Sequence, residues 1–428
     1  MAIGMLFIAL LLLGVGIPVA FVFGGAALAA ALLSPDIGLE VFNVLPFRIY
    51  GIMSNATLMA VPLFILMGLL LERSGMAEKL LVAMTSMFGT LKGGLAVSVV
   101  LVGAILAATM GIVSASVVMM SLIALPLMMR AGYSKELSTG TIAASGTLGQ
   151  IIPPSVILII LGDVMNIGVG DLFAGAVLPG LILVALYILY IVVISHLKPD
   201  TAPALGQEYR RGSVWALVWA VAPMLVLMGV VLGSIFAGIA SPSESAAFGV
   251  IGAVILSAFN KTLNLAMFKE SLKETLKLSG MIFMILIGAT AFSLVFNELG
   301  GSDRIIEFFG HNIDSAWTFI AIAMVVIFIL GFFIDFIEIS FIIVPILVPV
   351  MHAYGIDPLW FAVLIAMNLQ TSFLTPPFGL SLFFVKGAAG DSVNTLQIYR
   401  GVIPFVILQI VALGLVMVFP DLVFSLVE

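Results

Sequence analysis

Two carboxylates, Asp335 and Glu338, stand three residues apart inside the apolar run GFFIDFIEIS, residues 331–340. That spacing places both on one helical face. Ionisable side chains deep in an apolar segment are costly and usually functional. The pair could bind sodium, carry a coupled proton or meet a partner group. If the run is a hairpin, its tip can instead be wet and one carboxylate simply solvated. Two proline pairs offer a second chemistry: Pro153-Pro154 in GTLGQIIPPSVILII and Pro376-Pro377 in NLQTSFLTPPFGLSLFF. Proline has no backbone N–H, and its ring clashes with the preceding turn. The carbonyls of Gly149 and Gln150, and of Ser372 and Phe373, therefore lose their helical donors. In lipid they need another partner. Unwound carbonyls supply oxygen ligands to a hard cation without burying a charge.

Hydroxyls and amides near the breaks could complete two shells: Ser145, Thr147 and Gln150 in one half, Asn368, Gln370, Thr371 and Thr375 in the other. Half-helices beginning near Ser155 and Gly379 would aim their positive dipole ends at the centre, where a substrate carboxylate is favoured. The plainer alternative is a proline-kinked helix whose polar residues bond to neighbours; two breaks in register favour a site. Thr109, Ser114 and Ser116 in the first long apolar stretch are further sodium-ligand candidates beside Asp335 and Glu338. Glu244 reads as structural: Ser243 can cap a helix, and an acid in its first turn offsets the dipole.

The elements that carry these residues repeat. The proline pairs lie 223 residues apart, and the same offset carries Pro126 onto Pro349 and Gly132 onto Gly355. Upstream, LLLERSGMAEKLL at 69–81 matches LVFNELGGSDRII at 294–306 with an offset of 225. Each half reads as a helix, an acidic-basic turn, a long apolar stretch, a proline-broken span and a closing helix. The stretches 94–129 and 317–351 are each two spans or one re-entrant hairpin. The chain divides into an N-terminal helix and connection (1–55), a first repeat (56–196), a linker with a helix pair (197–278) and a second repeat (279–428).

Composition sets the class. With 63% hydrophobic and 9% charged residues and a mean hydropathy of +1.32, the chain is a polytopic membrane protein. The absence of cysteine excludes disulfides, iron–sulfur clusters and thiol catalysis. Residues 3–33 lack a basic leader and read as the first transmembrane helix. The polar stretch 195–213 reads as the linker between halves, and 260–279 as an amphipathic helix on an anionic membrane surface, with Lys269, Lys273 and Lys277 beside Phe268, Leu272 and Leu276. A cytoplasmic N-terminus puts fourteen of the sixteen Lys and Arg inside, leaving only Arg48 and Arg304 outside. Gly75 is then inside and its mate Gly300 outside, so the repeat is inverted. Inverted repeats with paired broken helices are secondary-transporter architecture, and no Walker sequence appears.

The stretches AASGTLGQIIPPSVILIILGD (143–163), DLFAGAVLPGLIL (171–183), GIASPSESAAFG (238–249) and LTPPFGL (374–380) resemble the large membrane subunit of TRAP, or tripartite ATP-independent periplasmic, transporters. The resemblance covers essentially the whole chain; ATMGIVSAS at 108–116 departs from the family's run of small residues and serines. It implies a sodium-driven importer of small organic acids in the bacterial inner membrane. It also implies a small four-helix membrane subunit, a periplasmic binding protein that delivers substrate, and an elevator motion of hairpins and broken helices against a scaffold.

Two rivals remain at this level. A stand-alone sodium–carboxylate symporter would share the architecture and need no binding protein. An intramembrane protease is opposed by its missing partners: Gly168-Val169-Gly170-Asp171 matches a GxGD motif, but no Tyr-Asp occurs, and His196, His311 and His352 fall in expected loops. No His or carboxylate spacing suits a structural metal, and nothing suggests nucleic-acid binding.

Overall fold

A computed structural model describes residues 1–35, 37–111, 113–206, 214–313 and 315–427. The linker arginines Arg210 and Arg211 lie outside them. Among the described residues the chain is helical throughout, and seven helices are long and apolar enough to cross a membrane.

The two halves repeat in local geometry as well as in sequence. Gly75 and Gly300 both adopt the left-handed conformation, at φ +70° and +66°, and each caps the start of a short helix, Met76–Phe88 or Gly301–Asn312. At the 223 offset, Ser134 and Asp357 are both N-caps: Ser134 Oγ accepts from the Leu137 N–H, and Asp357 Oδ1 from the Trp360 N–H. They open the first halves of the broken helices, Lys135–Thr147 and Pro358–Leu374. Each break is followed by a ten-residue half-helix, Val156–Met165 or Leu380–Ala389.

Each long apolar stretch folds as a hairpin. The first consists of Gly94–Met110 and Val113–Arg130; the second of Ala316–Leu330 and a return arm from Phe336 to Ala353. The hairpins and broken helices are interlocked. The first hairpin packs on Lys135–Thr147 of its own repeat and on Leu380–Ala389 of the other. The second packs on Pro358–Leu374 of its own repeat and on Val156–Met165 of the other. Around this unit stand Val19–Leu33, Ala60–Arg73, Val214–Phe236, Pro242–Phe259 and the 34-residue helix Leu265–Glu298, packed chiefly on one another.

Polar side-chain contacts join several of these segments. Arg73 bridges Glu270 (3.2 Å) and Glu274 (2.5 Å), Lys79 Nζ donates to Asn260 Oδ1 (2.8 Å), and Lys135 Nζ donates to the Ser392 carbonyl (2.6 Å). The Tyr354 hydroxyl donates to the carbonyls of Phe309 (3.1 Å) and Ile313 (2.7 Å).

Several expectations change. The single helix at 3–33 is two, Ala2–Gly14 and Val19–Leu33, because Gly16 turns left-handed (φ +88°) and Pro18 cannot donate. At 1.5 Å per residue each is about 20 Å long, short of a core of about 30 Å. The amphipathic helix is not separate: residues 265–278 continue into the next span as one helix of about 51 Å. Its first turns, pinned by Arg73, stand beyond what a bilayer core covers. The N-cap before Glu244 is Ser241 rather than Ser243. The Ser241 N–H donates to Glu244 Oε2 (2.8 Å) and the Glu244 N–H to Ser241 Oγ (3.4 Å), a capping box that keeps Glu244 structural. His196, His311 and His352 sit in last turns of helices rather than in loops.

Candidate substrate and ion site

The breaks form where proline removes donors. Ser155 and Gly379 are the N-caps of the two half-helices, and both Pro-Pro peptide bonds are cis. Two of the four carbonyls expected to be free are taken by serines. Ser155 Oγ donates to the Gln150 carbonyl (2.8 Å), and Ser381 Oγ to the Phe373 carbonyl (2.6 Å). The Ser372 carbonyl accepts the Thr375 N–H at 3.2 Å. Each retains a second lone pair. No hydrogen bond from the described residues reaches the carbonyl of Gly149.

Both hairpins turn at the level of a break. A β-carbon on Gly111 would stand 3.2 Å from Val156 Cγ2 and 3.7 Å from the Pro154 carbonyl oxygen. One on Gly331 would stand 2.1 Å from Ser372 Oγ. Because each break divides a spanning helix midway, hairpins ending there are re-entrant. At the centre Gln370 Nε2 donates to Thr147 Oγ1 (3.5 Å). These two residues are equivalent in the repeat, 223 apart, so the contact lies on the axis relating the halves.

A cavity of about 130 Å³ opens where the tips, the half-helices and the surrounding helices meet. Val113 and Ser114 begin one hairpin arm, Val156 and Leu380 begin the half-helices, and Asp335, Phe336 and Ile337 form the second hairpin tip. Phe373 and Phe384 close the side of the second break, while Ile65 of Ala60–Arg73 and Leu278, Met281 and Ile282 of Leu265–Glu298 form a further wall. Three helix N-termini thus converge there, and no Lys or Arg among the described residues lines it. Asp335 caps the short helix Phe336–Glu338, with Oδ1 accepting the Phe336 N–H at 2.7 Å. Glu338 lies in that turn, is 8% exposed, and its Oε2 has no partner.

Of the residues the sequence singles out, the cavity gathers Ser114, Asp335 and Phe373. Glu338 lies next to it, and Ser155 and Gly379 cap helices that begin at it. Most of the other hydroxyls turn back onto their own helices. Thr109 donates to Leu106 (2.8 Å), Ser145 to Ile142 (3.1 Å), Thr147 to Ala144 (2.8 Å) and Thr375 to Thr371 (2.7 Å). Ser116 is buried behind the first tip. Asn368 and Thr371 face a different groove, of about 190 Å³, beside Met324, Phe328 and Ile410. There Asn368 Nδ2 donates to the Met324 carbonyl (2.7 Å). Gln150 is buried with neither end of its amide partnered, and Gln370 Oε1 is likewise unpartnered.

Three features escaped the sequence reading. Ser381, the second residue of its half-helix, seals the Phe373 carbonyl; a serine soon after a proline break was the available signal. The π-helix Ile339–Ile343 follows Glu338, and its buried Ser340 hydroxyl is unpartnered. Single-turn π segments are frequent at functional sites, but nothing in ISFII announces one. The wall formed by Ile65, Leu278, Met281 and Ile282 has no signal either, being apolar like its surroundings.

Comparison with known proteins agrees with this architecture. The chain is 30% identical over 420 residues to the sialic acid TRAP transporter large permease protein of Vibrio cholerae, covering 97% of this chain and 96% of that one. It is 29% identical to the C4-dicarboxylate TRAP transporter large permease protein of Pseudomonas aeruginosa (92% and 90% covered). The ectoine TRAP transporter large permease protein of Halomonas elongata is also 29% identical (86% and 85% covered). In fold the chain matches the Alcanivorax borkumensis YdaH transporter, described as having an unusual topology, with a TM-score of 0.67 over 99% of both chains and 13% identity. These relatives are transporter permeases, not enzymes. The family model described as tripartite ATP-independent periplasmic transporter, DctM component, matches residues 5–422, and the chain belongs to that family of multi-pass membrane permeases.

Proposed function

We infer that this chain imports a small organic acid across the bacterial inner membrane, driven by sodium ions and with its N-terminus cytoplasmic. A periplasmic binding protein delivers the cargo, and a small four-helix membrane subunit stands beside the chain. One observation carries the reading: three helix N-termini converge on a cavity that, among the described residues, has no lysine or arginine. Such ends favour a carboxylate. Without a basic side chain, an anion gains further from a cation held on oxygen donors beside it. Asp335 and Ser114 line the cavity, and Glu338, whose Oε2 has no partner, lies in the turn that Asp335 caps. The carboxylate substrates in the names of the sialic acid and C4-dicarboxylate relatives support the same class. Replacing sodium by potassium is expected to weaken cargo binding by about tenfold or more, within the usual range of coupling between two ligands. Anion binding that persists undiminished in potassium, measured by calorimetry on the purified chain, contradicts the reading.

Alternating access follows from the interlocked unit of hairpins and broken helices sliding as an elevator along the scaffold. The cavity is bounded by both bodies. Among the described residues a hydrogen bond joins the two bodies: Asn55 Nδ2, just ahead of the helix Ala60–Arg73, donates to Asp163 Oδ1 of the first half-helix at 2.5 Å. The sequence has no cysteine, so a pair introduced as Asn55→Cys with Asp163→Cys can be cross-linked without background. Oxidation is expected to arrest uptake and reduction to restore it. Full uptake by a quantitatively cross-linked pair contradicts the sliding motion.

A further inference from the structure

The cavity at the hairpin tips is small and nearly free of polar groups. Its volume of about 130 Å³ compares with the roughly 150 Å³ of an apolar protein cavity that holds benzene. Only Ser114 and Asp335 among its lining side chains are polar; Ile65, Met281, Ile282 and Phe384 present hydrocarbon. An anion-binding site for a polyhydroxylated acid needs donors and acceptors all round, because a hydroxyl desolvated without a partner opposes binding. A site for a dicarboxylate needs a second place for charge. Neither is present among the described lining residues.

We propose that the cargo is a small monocarboxylate with an aliphatic tail, and neither a dicarboxylate nor a sugar acid. The proposal rests on the organic-acid reading above. The carboxylate lies toward Ser114 and the starts of the half-helices, and the tail lies against the wall at Ile65, Met281 and Ile282. The hydroxyls of a sugar acid would face aliphatic walls. A dicarboxylate could enter, but its second charge would meet hydrocarbon or the Asp335 carboxylate, an arrangement that selects against it.

Thermal unfolding of the full chain in detergent with saturating sodium chloride tests this, with 3-methylbutanoate, succinate and N-acetylneuraminate as probes. Stabilisation by 3-methylbutanoate is expected, with the other two at least about tenfold weaker in half-maximal concentration. Equal or stronger stabilisation by succinate or N-acetylneuraminate overturns the proposal and leaves the organic-acid reading standing. No shift from any of the three overturns that reading too. A variant guards against a coincidental shift: Met281→Gln keeps the side chain's length, and Met281 is 47% exposed, so the substitution does not disturb the packed core. It is expected to weaken 3-methylbutanoate binding about fivefold, within the range for a change in one apolar wall. Unchanged affinity places the tail elsewhere and overturns the assignment.

Discussion

Sodium-dependent uptake by Asp335→Asn is expected to fall about tenfold or more, the equivalent of roughly 1.4 kcal/mol of lost ion binding. The substitution isolates charge from structure. Asp335 caps the turn Phe336–Glu338 through Oδ1, and asparagine caps a helix as well as aspartate does. The fold is therefore retained while the negative charge at the cavity wall is removed. Glu338→Gln is the companion: its Oε2 has no partner, so neutralising it breaks no bond to that atom. Uptake measured against sodium concentration in proteoliposomes decides the matter. Wild-type rates and unchanged sodium affinity in both variants sink a transport role for the pair. Loss in Asp335→Asn alone assigns the ion to the cavity wall and leaves Glu338 as a buried neighbour.

The largest structural effect is expected at Gly140. A β-carbon there would stand 2.1 Å from the Gly401 carbonyl oxygen and 2.5 Å from its carbonyl carbon, and one on Gly401 would stand 2.1 Å from the Glu136 carbonyl oxygen. Backbone meets backbone where Lys135–Thr147 crosses the closing helix Thr395–Val418. No side chain can move aside, so the helices must separate. Small residues at such crossings are what allow membrane helices to approach. Gly140→Ala is expected to cost about 3 kcal/mol, the upper part of the usual overpacking range. Gly414→Ala in the same closing helix is the control, since nothing lies within 4 Å of its added carbon. A helical Gly→Ala change in open space is neutral or stabilising by up to about 1 kcal/mol. Melting temperatures of the purified variants check both, and a Gly140→Ala protein that melts with the wild type contradicts the close crossing.

Much of the frame was legible from local chemistry. Pro153-Pro154 and Pro376-Pro377 had to break their helices because a missing N–H acts on the preceding turn whatever surrounds it. The caps at Ser134 and Asp357 act within three residues and are equally local, though the sequence reading did not single them out. The break at Gly16 and Pro18 was written in the same terms, but the run of apolar residues at 3–33 hid it. Amphipathic patterning misled at 265–278, where a helix that continues into the next span looks the same in sequence as one that lies on a surface.

The sequence by itself determined the membrane class, the repeat, the two breaks and the carboxylates Asp335 and Glu338. Tertiary structure alone decided which polar groups meet. Asn368 and Thr371 turn toward an outer groove, Ser155 and Ser381 occupy carbonyls that otherwise stood free, and Ile65, Met281 and Ile282 complete the cavity from distant segments. The reason is physical. In a soluble helix, apolar periodicity marks the buried face. Where lipid and protein interior are equally apolar, the pattern loses that contrast, and the direction of a serine or an asparagine is set only by what packs against it.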